Sequence, residues 1–269
     1  MKSVAIYCVC YNSYSELNGF LHSVDQAAEK VKDQLTVSVF VADNSEEVKE
    51  ITQPSASGLN LVHFPTGHNA GYLGAVQECM KLHSPQEYDF VIISNVDLII
   101  DQNAFVHLLE LKDVEKVGWY APQIYSTAEK RDLNPAVLTR HAKSKLKMLH
   151  FMFNHSWLTR FYEKTIYKRK KLKKKEHPNG KDIYAGHGSF MIFTHAFFQA
   201  IGQLNFPIFL YCEEIYLAEL CHRNGLQVRY VSSIRAVDAE HCSTGKIKSR
   251  YICKYKAKAL RYILDTYYK

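Results

Sequence analysis

The chain lacks the features that would place it among membrane-spanning or secreted proteins. No uninterrupted apolar stretch approaches the ~20 residues that a spanning helix needs. The apolar run from Val4 to Tyr11 has no small-residue cleavage site, so it predicts a first strand rather than a signal peptide. With 269 residues, 47% of them hydrophobic, the chain can build a sizeable core in one large domain or in two closely packed halves.

The cysteines also lack a pattern. The seven are scattered, and no two have CxxC spacing, which argues against a disulfide framework and against a zinc site. Reduced thiols fit a cytosolic protein best. The positions are Cys8, Cys10, Cys79, Cys212, Cys221, Cys242 and Cys253.

Two common phosphate-binding motifs are missing as well. The sequence contains neither GxxxxGK[ST] nor GxGxxG, and it has no internal repeat. What is present is a glycine-punctuated turn from Gly67 to Gly74, which leads into a predicted helix. Such a turn binds a diphosphate at a helix N-terminus or merely allows close packing, and both interpretations stay open.

Positive charge is concentrated in one segment. Residues 140–175 contain thirteen Lys or Arg and one acid, a net of +12, so the rest of the chain carries 7 − 12 = −5. Apolar residues spaced by three or four predict a helix, and a lysine-rich run follows at 168–175. A basic amphipathic helix with a polybasic run suits an anionic membrane surface, whereas the alternative is a core-packing helix followed by a solvated loop. No nucleic-acid-binding module is present, so no nucleic-acid partner is expected. The apolar positions are Leu146, Leu149, Phe153, Trp157 and Phe161, with Met148, Phe151, Met152 and Leu158 widening the face.

Strand and helix patterns alternate along the rest of the chain, which predicts crossover units and a mainly parallel sheet. We predict strands at 4–10, 35–42, 59–64, 90–93, 117–121, 190–193, 227–231 and 235–237. Helices are predicted after Ser13 or Ser15, after Ala75 through about His83, at 103–111, from near Thr194, after Glu214 through about Asn224 and at 246–269, with Gly225 at a C′ position.

Polar residues directly follow the strand at 90–93. Asn95 and Asp97 place an amide and a carboxylate where ligands bind in open α/β sheets, outside the carboxyl ends of the strands. Oxygen ligands of this kind suit a hard divalent cation that also binds phosphate. A plain polar turn is the alternative, because Asn and Asp shape turns in many proteins.

Six short motifs occur in an order that resembles a known family. Across residues 4–245 the sequence is similar to the family-2 inverting glycosyltransferases of the GT-A fold, especially the bacterial rhamnosyltransferase-like branch. The resemblance implies an α/β fold with a Rossmann-like, mainly parallel or mixed sheet flanked by helices, a basic amphipathic helical insertion and a C-terminal helix. The motifs are Tyr11-Asn12, Asp43-Asn44-Ser45, His68-Asn69-Ala70-Gly71, Asn95-Val96-Asp97, Gly186-His187-Gly188-Ser189, and 209–217 with Gly225.

The resemblance also implies a donor site. Tyr11, Asn12 and Asp43 match positions that bind the nucleotide sugar, with Tyr11 and Asp43 at the nucleobase. Asn69 and Gly71 match a loop near the ribose and the diphosphate.

The remaining motifs concern the metal, the base and the acceptor. Asp97 matches the last acid of a DxD-type motif that coordinates a divalent metal, and Asn95 replaces the first acid. Glu213 and Glu214 match a pair in which one carboxylate is the catalytic base, and we favour Glu214. Tyr216 replaces a usual second acid. His241 resembles a histidine that completes the metal site in some members, or it is structural. His187 and Ser189 are expected on the acceptor side, or in a simple turn.

These residue types suit inverting transfer. A single in-line displacement needs a base on the acceptor hydroxyl and charge neutralisation on the leaving diphosphate, which a glutamate and Mg²⁺ or Mn²⁺ supply. Two adjacent glutamates also raise one pKa toward useful basicity. The alternative for Glu213 and Glu214 is a pair of acids stabilised by the N-terminal dipole of a helix.

The expected protein is a single GT-A domain over 1–269. Its nucleotide-sugar-binding half is about 1–121, its acceptor and catalytic half about 182–245, its basic insertion 140–176, and its C-terminal helix 246–269. We expect a dTDP- or UDP-sugar donor and a lipid-linked or polymeric glycan acceptor. The setting is assembly of cell-surface polysaccharide, such as capsule or lipopolysaccharide, on the cytoplasmic face of the inner membrane. A non-catalytic nucleotide-sugar- or membrane-binding protein is the main alternative. A nucleotidyltransferase is disfavoured, because Tyr11-Asn12-Ser13 supplies no basic phosphate-binding fingerprint.

Overall fold

Strands and helices alternate along the chain as the sequence patterns predict. The computed structural model describes residues 1–155, 158–159, 177–239 and 249–269. The first half contains β1 Lys2–Cys10, α1 Tyr14–Glu29, β2 Leu35–Asp43, β3 Asn60–Pro65, α2 Tyr72–Leu82, β4 Phe90–Asn95, β5 Leu98–Ile100, α3 Ala104–Leu109, β6 Val117–Ser126 and β7 Arg131–Asp132. The second half contains α4 Lys143–Asn154, β8 Asp182–Ile183, β9 Phe190–Thr194, α5 His195–Ile201, α6 Glu213–Arg223, β10 Gln227–Asp238 and α7 Ser249–Tyr267.

One mixed sheet runs through the molecule. Within the described residues its strand order is β3-β2-β1-β4-β9-β6-β10-β5, with β7 paired to β6 and β8 paired to β10. The four strands β3, β2, β1 and β4 are parallel to one another, whereas β9 is antiparallel to both β4 and β6. The predicted α/β class with a mainly parallel or mixed sheet flanked by helices is therefore confirmed.

Both faces of the sheet are covered, which explains why β1 is apolar from Val4 to its end. Ala5 and Tyr7 belong to the core on one face, and Val4, Ile6 and Cys8 belong to the core on the other. All five side chains have 0% exposure. A strand buried on both faces has no polar alternation, and each large apolar side chain buried in this way contributes about 1.5–3 kcal/mol.

Several predicted boundaries move, and one pair of predicted strands merges. The two short strands predicted at 227–231 and 235–237 form the single strand β10, whose pairing with β6 shifts register between Val231 and Arg235. The polar Ser232-Ser233 pair, which breaks the apolar pattern in the sequence, lies within this irregularity. Strand β6 extends to Ser126 rather than ending near residue 121. Gly225 has φ 68°, as its predicted position after α6 requires.

The basic segment is described only in part. Helix α4 turns its narrow apolar side inward, with Leu146 buried and Leu149 and Phe153 packed on the core. Met148 and Phe151 face outward at 57% and 59% exposure. The core-packing alternative is therefore correct for the inner face of α4, and the wider apolar face predicted for it does not form one buried surface. The polybasic run at 168–175 lies outside the described residues.

A buried ion pair fixes α6 against the segment that precedes α4. Glu219 has 0% exposure, and its two carboxylate oxygens accept hydrogen bonds from Arg140 Nε at 2.8 Å and Nη2 at 2.9 Å. The hydroxyl of Tyr184 donates to Glu219 Oε1 at 2.6 Å. Burial raises the pKa of Glu219, but the bonds from Arg140 and Tyr184 outweigh it, so that the pKa is lowered.

Among the described helices, none combines the length and apolarity needed to span a bilayer.

Candidate active site

The candidate site lies at the carboxyl ends of β1, β2 and β4. Strand β1 lies between β2 and β4 in the sheet, so the connection after β1 runs to one side and β4 is added later on the other side. Loops after neighbouring strands therefore diverge between β1 and β4, which opens a crevice in doubly wound sheets. The predicted donor-site residues follow these strand ends. Tyr11 is 37% exposed, and the backbone N–H of Asn12 donates to Ser45 Oγ at 2.8 Å.

Asp43 ends β2 inside a hydrogen-bond network. Its side chain is only 1% exposed. Oδ2 accepts from the Tyr14 hydroxyl at 2.7 Å and pairs with His63 Nε2 at 2.8 Å, and Oδ1 accepts from the Ser45 N–H at 2.9 Å. Burial raises the pKa of Asp43, yet bonds from Ser45, Tyr14 and His63 lower it overall. Asp43 is thus held ionised, with most of its oxygen lone pairs already engaged by the protein.

The Gly67–Gly74 turn is tied to the strand ends by Asn44. Asn44 Nδ2 donates to the carbonyl of Gly71 at 2.9 Å, and its Oδ1 accepts from Thr66 Oγ1 at 3.0 Å. Gly71 has φ 79°, and a Cβ there would overlap the carbonyl oxygen of Phe209. Glycine is therefore required at position 71, because it adopts a positive φ without strain and has no Cβ to overlap Phe209. The exposed Asn69 accepts from the Gly71 N–H at 3.0 Å, so the turn presents α2 at the crevice.

Asn95 and Asp97 bracket the turn between β4 and β5. The N–H of Asn95 donates to the carbonyl of Ser189 at 2.8 Å, which joins the donor-side strand to the Gly-rich turn before β9. Tyr72, at the start of α2, donates to the carbonyl of Gly188 at 3.0 Å. Burial raises the pKa of Tyr72, and the charges of Glu213 and Asp97 raise it further. Both carboxylates are therefore near enough to the Tyr72 hydroxyl to act on its charge.

Glu213 and Glu214 begin α6 after a strained turn. Tyr211 and Cys212 have φ 75° and 65°, a left-handed conformation that costs a non-glycine residue about 1 kcal/mol or more. The turn directs the N–H of Tyr211 to Glu213 Oε1 at 2.7 Å. Glu214 Oε2 lies beside Gly188, because a Cβ on that glycine would be 3.9 Å away. The two glutamates thus occupy different environments despite being neighbours.

Electrostatics separate the two glutamates. Burial, and then the charge of Glu214, raise the pKa of Glu213 to about 8. Burial also raises the pKa of Glu214, but its helix N–H and the nearby Lys256 ammonium oppose this. Near neutral pH, Glu213 with its pKa of about 8 holds a proton for most of the time, whereas the Lys256 ammonium favours the charged form of Glu214.

Lys256 comes from α7, which sequence reasoning assigned no role in the site. Its Nζ lies 5.3 Å from the ring centre of Tyr211 and 5.4 Å from that of Phe153. The neighbouring Tyr255 packs against Phe209 with ring centres 5.3 Å apart. The only sequence signal was the basic, tyrosine-rich composition of the terminal helix, which does not locate the helix in space.

His187 and Ser189 lie in the turn that precedes β9. The N–H of His187 donates to Asn134 Oδ1 at 2.7 Å, and its Nδ1 lies 2.8 Å from Ser189 Oγ. Ser189 is 4% exposed and bonds toward β4, so it supports the turn rather than facing open solvent. The structure brings this turn beside Glu214, and the acceptor-side role of His187 and Ser189 stays a prediction.

Of two further motif positions, one lies in the core and the other is outside the described residues. Tyr216 is 2% exposed, stacks on Phe206 with ring centres 4.7 Å apart and accepts from the Asn205 N–H, so it belongs to the core. His241 lies outside the described residues. Within the described parts of the chain, no three His, Cys, Asp or Glu side chains cluster closely enough to hold a metal ion.

Comparison with solved structures identifies the fold. The chain superimposes on S. aureus TarS, a glycosyltransferase, with a TM-score of 0.54 and 12% identity, covering 99% of this chain and 44% of TarS. A complex of TarS 1–349 with UDP-GlcNAc gives a TM-score of 0.55 at 13% identity over 98% of this chain and 67% of that chain. The corresponding UDP complex gives 0.52 at 13% identity over 98% and 66%.

These similarities establish a glycosyltransferase fold. The chain spans less than half the length of the full TarS chain. No protein-family model and no curated protein matches the sequence. The rhamnosyltransferase-like branch stays a prediction from the motifs.

Proposed function

We propose that the protein is an inverting glycosyltransferase that moves a sugar from a nucleoside diphosphate to a hydroxyl group of a glycan acceptor. The observation that carries this proposal is the pair Glu213 and Glu214, which follows a strained turn beside Gly71, with Glu213 and Asp97 both acting on Tyr72. A UDP-sugar or dTDP-sugar is the proposed donor. TarS, which has the same fold, is known in complexes with UDP and UDP-GlcNAc.

Glu214 is the proposed base. An ionised carboxylate beside the turn at Gly188 can accept the proton of an acceptor hydroxyl as that oxygen attacks the sugar. Lys256 favours the charged form of Glu214 before the reaction. Glu213, with a pKa of about 8, retains its proton and accepts the Tyr211 N–H, so its proposed role is to hold the turn.

A divalent cation, Mg²⁺ or Mn²⁺, belongs to the proposal. Such a cation, when shared with a diphosphate, needs only one or two protein carboxylates, so the single carboxylate of Asp97, two residues beyond β4, fits this chemistry. Asp97 would hold it, with His241 as a further candidate. When bound, the cation would neutralise charge on the leaving diphosphate. Titration with UDP tests this without any transfer. Mn²⁺ should raise the affinity of the wild type for UDP, and this gain should be lost in Asp97→Asn.

The acceptor is proposed to be a lipid-linked or polymeric glycan of the cell surface, reached at an anionic membrane. Support comes from the outward face of α4, where Met148 and Phe151 are exposed beside Lys145. Apolar side chains flanked by lysines suit shallow insertion among anionic headgroups.

A transfer assay with a panel of UDP- and dTDP-sugars tests the proposed chemistry. Glu214→Gln should lower kcat by about 10²–10⁴-fold, the usual contribution of a general base, and should leave UDP binding unchanged. Glu110→Gln, an exposed glutamate on α3's C-terminal side, is the matched control. Lys256→Met should move the acidic limb of the kcat/KM profile to higher pH.

Two results would contradict the proposal in different ways. Unchanged transfer by Glu214→Gln would remove Glu214 from the role of base. Saturable UDP binding without turnover across all donors and acceptors would favour the non-catalytic alternative. The departures at Asn95 and Tyr216 from the acidic pattern motivate that alternative.

A further inference from the structure

A cavity of about 470 Å³ lies between α4 and α7. Its α7 side begins at Arg261, five residues beyond Lys256, or about 7.5 Å further along the helix. Leu264 and Tyr268 are buried residues that form part of its lining. The cavity is therefore separate from the crevice at the strand ends.

The cavity gathers positive charge from two distant parts of the chain. Lys143 and Lys147 come from α4, and Arg261 and Lys269 come from the C-terminal end. Among the described residues of the lining the one acidic side chain is Asp265, which Arg261 Nε contacts at 2.7 Å, so these side chains carry 4 − 1 = +3. Like charges converging on one cavity repel one another, and an anion bound among them relieves that repulsion.

The N-terminus of α4 also favours binding of an anion. Lys143 and Lys147 are four residues apart, hence on one side of the helix. The preceding residue, Ala142, offers no side-chain cap to the first turn. The dipole of the 12-residue helix α4 favours an anion near this end.

Two contacts fix α4 and α7, which form the two walls of the cavity, relative to each other. Nδ1–H of His150, itself in the lining, donates to the carbonyl of Ala257 at 2.9 Å. One turn further along α4, Phe153 lies under the ammonium group of Lys256. These two contacts join α4 to α7 without using any of the four cations, so the two helices are already held together before a ligand arrives.

We propose that this cavity binds a phosphate ester or a diphosphate. Several separate cations with a helix N-terminus match the multiple oxygens of phosphate better than a single carboxylate. The phosphate is either a lipid headgroup or a group carried by a soluble or acceptor molecule. The site does not depend on the proposed transferase activity, because binding is measured without transfer.

Calorimetric titration with inorganic pyrophosphate tests the site, with the full chain and saturating UDP so that the donor crevice is filled. We expect one further pyrophosphate per chain. The double variant Lys143→Gln/Lys147→Gln should weaken this binding by at least tenfold. Lys145→Gln is the matched control, since Lys145 lies on the same helix, is exposed and is not part of the lining. Lys147→Arg should retain binding.

Competition separates the two sources of phosphate. Displacement of pyrophosphate by phosphatidylcholine vesicles containing phosphatidylglycerol, and not by phosphatidylcholine alone, assigns the site to a lipid headgroup. Retained binding in the presence of both vesicles assigns it to a soluble or acceptor phosphate. Absence of saturable binding, or equal weakening by Lys145→Gln and by the double variant, would overturn the proposal.

Discussion

Replacing Glu213 with glutamine should make the protein more stable in mildly alkaline solution. The side chain is 7% exposed, and its pKa is raised by burial and by Glu214 to about 8 from an ordinary value of 4.5. A carboxyl group with a raised pKa stabilises the folded state fully below pH 4.5, where both states hold the proton. That stability is lost progressively as the pH rises through 8.

The size of the effect follows from the gap between the two pKa values. Each pH unit in a gap of 8 − 4.5 = 3.5 corresponds to about 1.4 kcal/mol, which sets a ceiling of about 5 kcal/mol. Local opening of the turn at Tyr211 admits water to the ionised group, so we expect about 2–3 kcal/mol. For a chain of this size that is a Tm difference of about 4–12 °C.

The assay is thermal denaturation of both proteins between pH 4.5 and 9. The Tm of the wild type should fall with rising pH more steeply than that of Glu213→Gln. Glu219→Gln is a control of opposite sign on the same helix, because the lowered pKa of Glu219 stabilises above pH 4.5 and that stability is lost as the pH falls. That variant should be destabilised at pH 7 by about 3 kcal/mol, since Arg140 loses a buried partner. Parallel profiles for wild type and Glu213→Gln would refute the reasoning.

Two further predictions concern the turn and the membrane. Gly71→Ala should destabilise the protein by about 2–4 kcal/mol and weaken UDP binding, because it strains a positive φ and overlaps the Phe209 carbonyl. Gly74→Ala is the control, with its Cβ 3.5 Å from Ala70; thermal denaturation and UDP titration would contradict the idea if the two variants behave alike. Neutralising the lysines at 170–174 should reduce sedimentation with anionic vesicles, and unchanged sedimentation would count against membrane docking.

The fold could be predicted largely from hydrophobic patterns. The strands that form the sheet centre are buried on both faces, so their apolar runs are continuous and easily recognised. The short strands β5, β7 and β8 were missed because two or three residues carry no periodicity. Strand β10 was predicted as two strands, because Ser232-Ser233 interrupts the apolar pattern. In the structure the strand continues through this point with a bulge.

The site was predictable only where its residues follow strand ends. The places of Asp43, Asn95 and Asp97 at or just beyond strand ends follow from the sheet, and their roles stay predictions. Lys256 and Tyr72 were missed, since their approach to the glutamates depends on how helices pack across more than 40 residues of sequence or across the sheet. The positive φ values of Tyr211 and Cys212 were also hidden, because neither residue type signals that conformation.

The pairing of β4 with β9 has a consequence for synthesis of the chain. Strand β4 ends at Asn95, but its second neighbour, β9, begins only at Phe190. A ribosome adding about 5–20 residues per second needs on the order of 5–20 s to cover that interval. During this time an apolar strand in the middle of the future sheet has one unpaired edge, which is a template for wrong pairing with other chains. The emerging N-terminal half is therefore the part of this protein that most needs a chaperone.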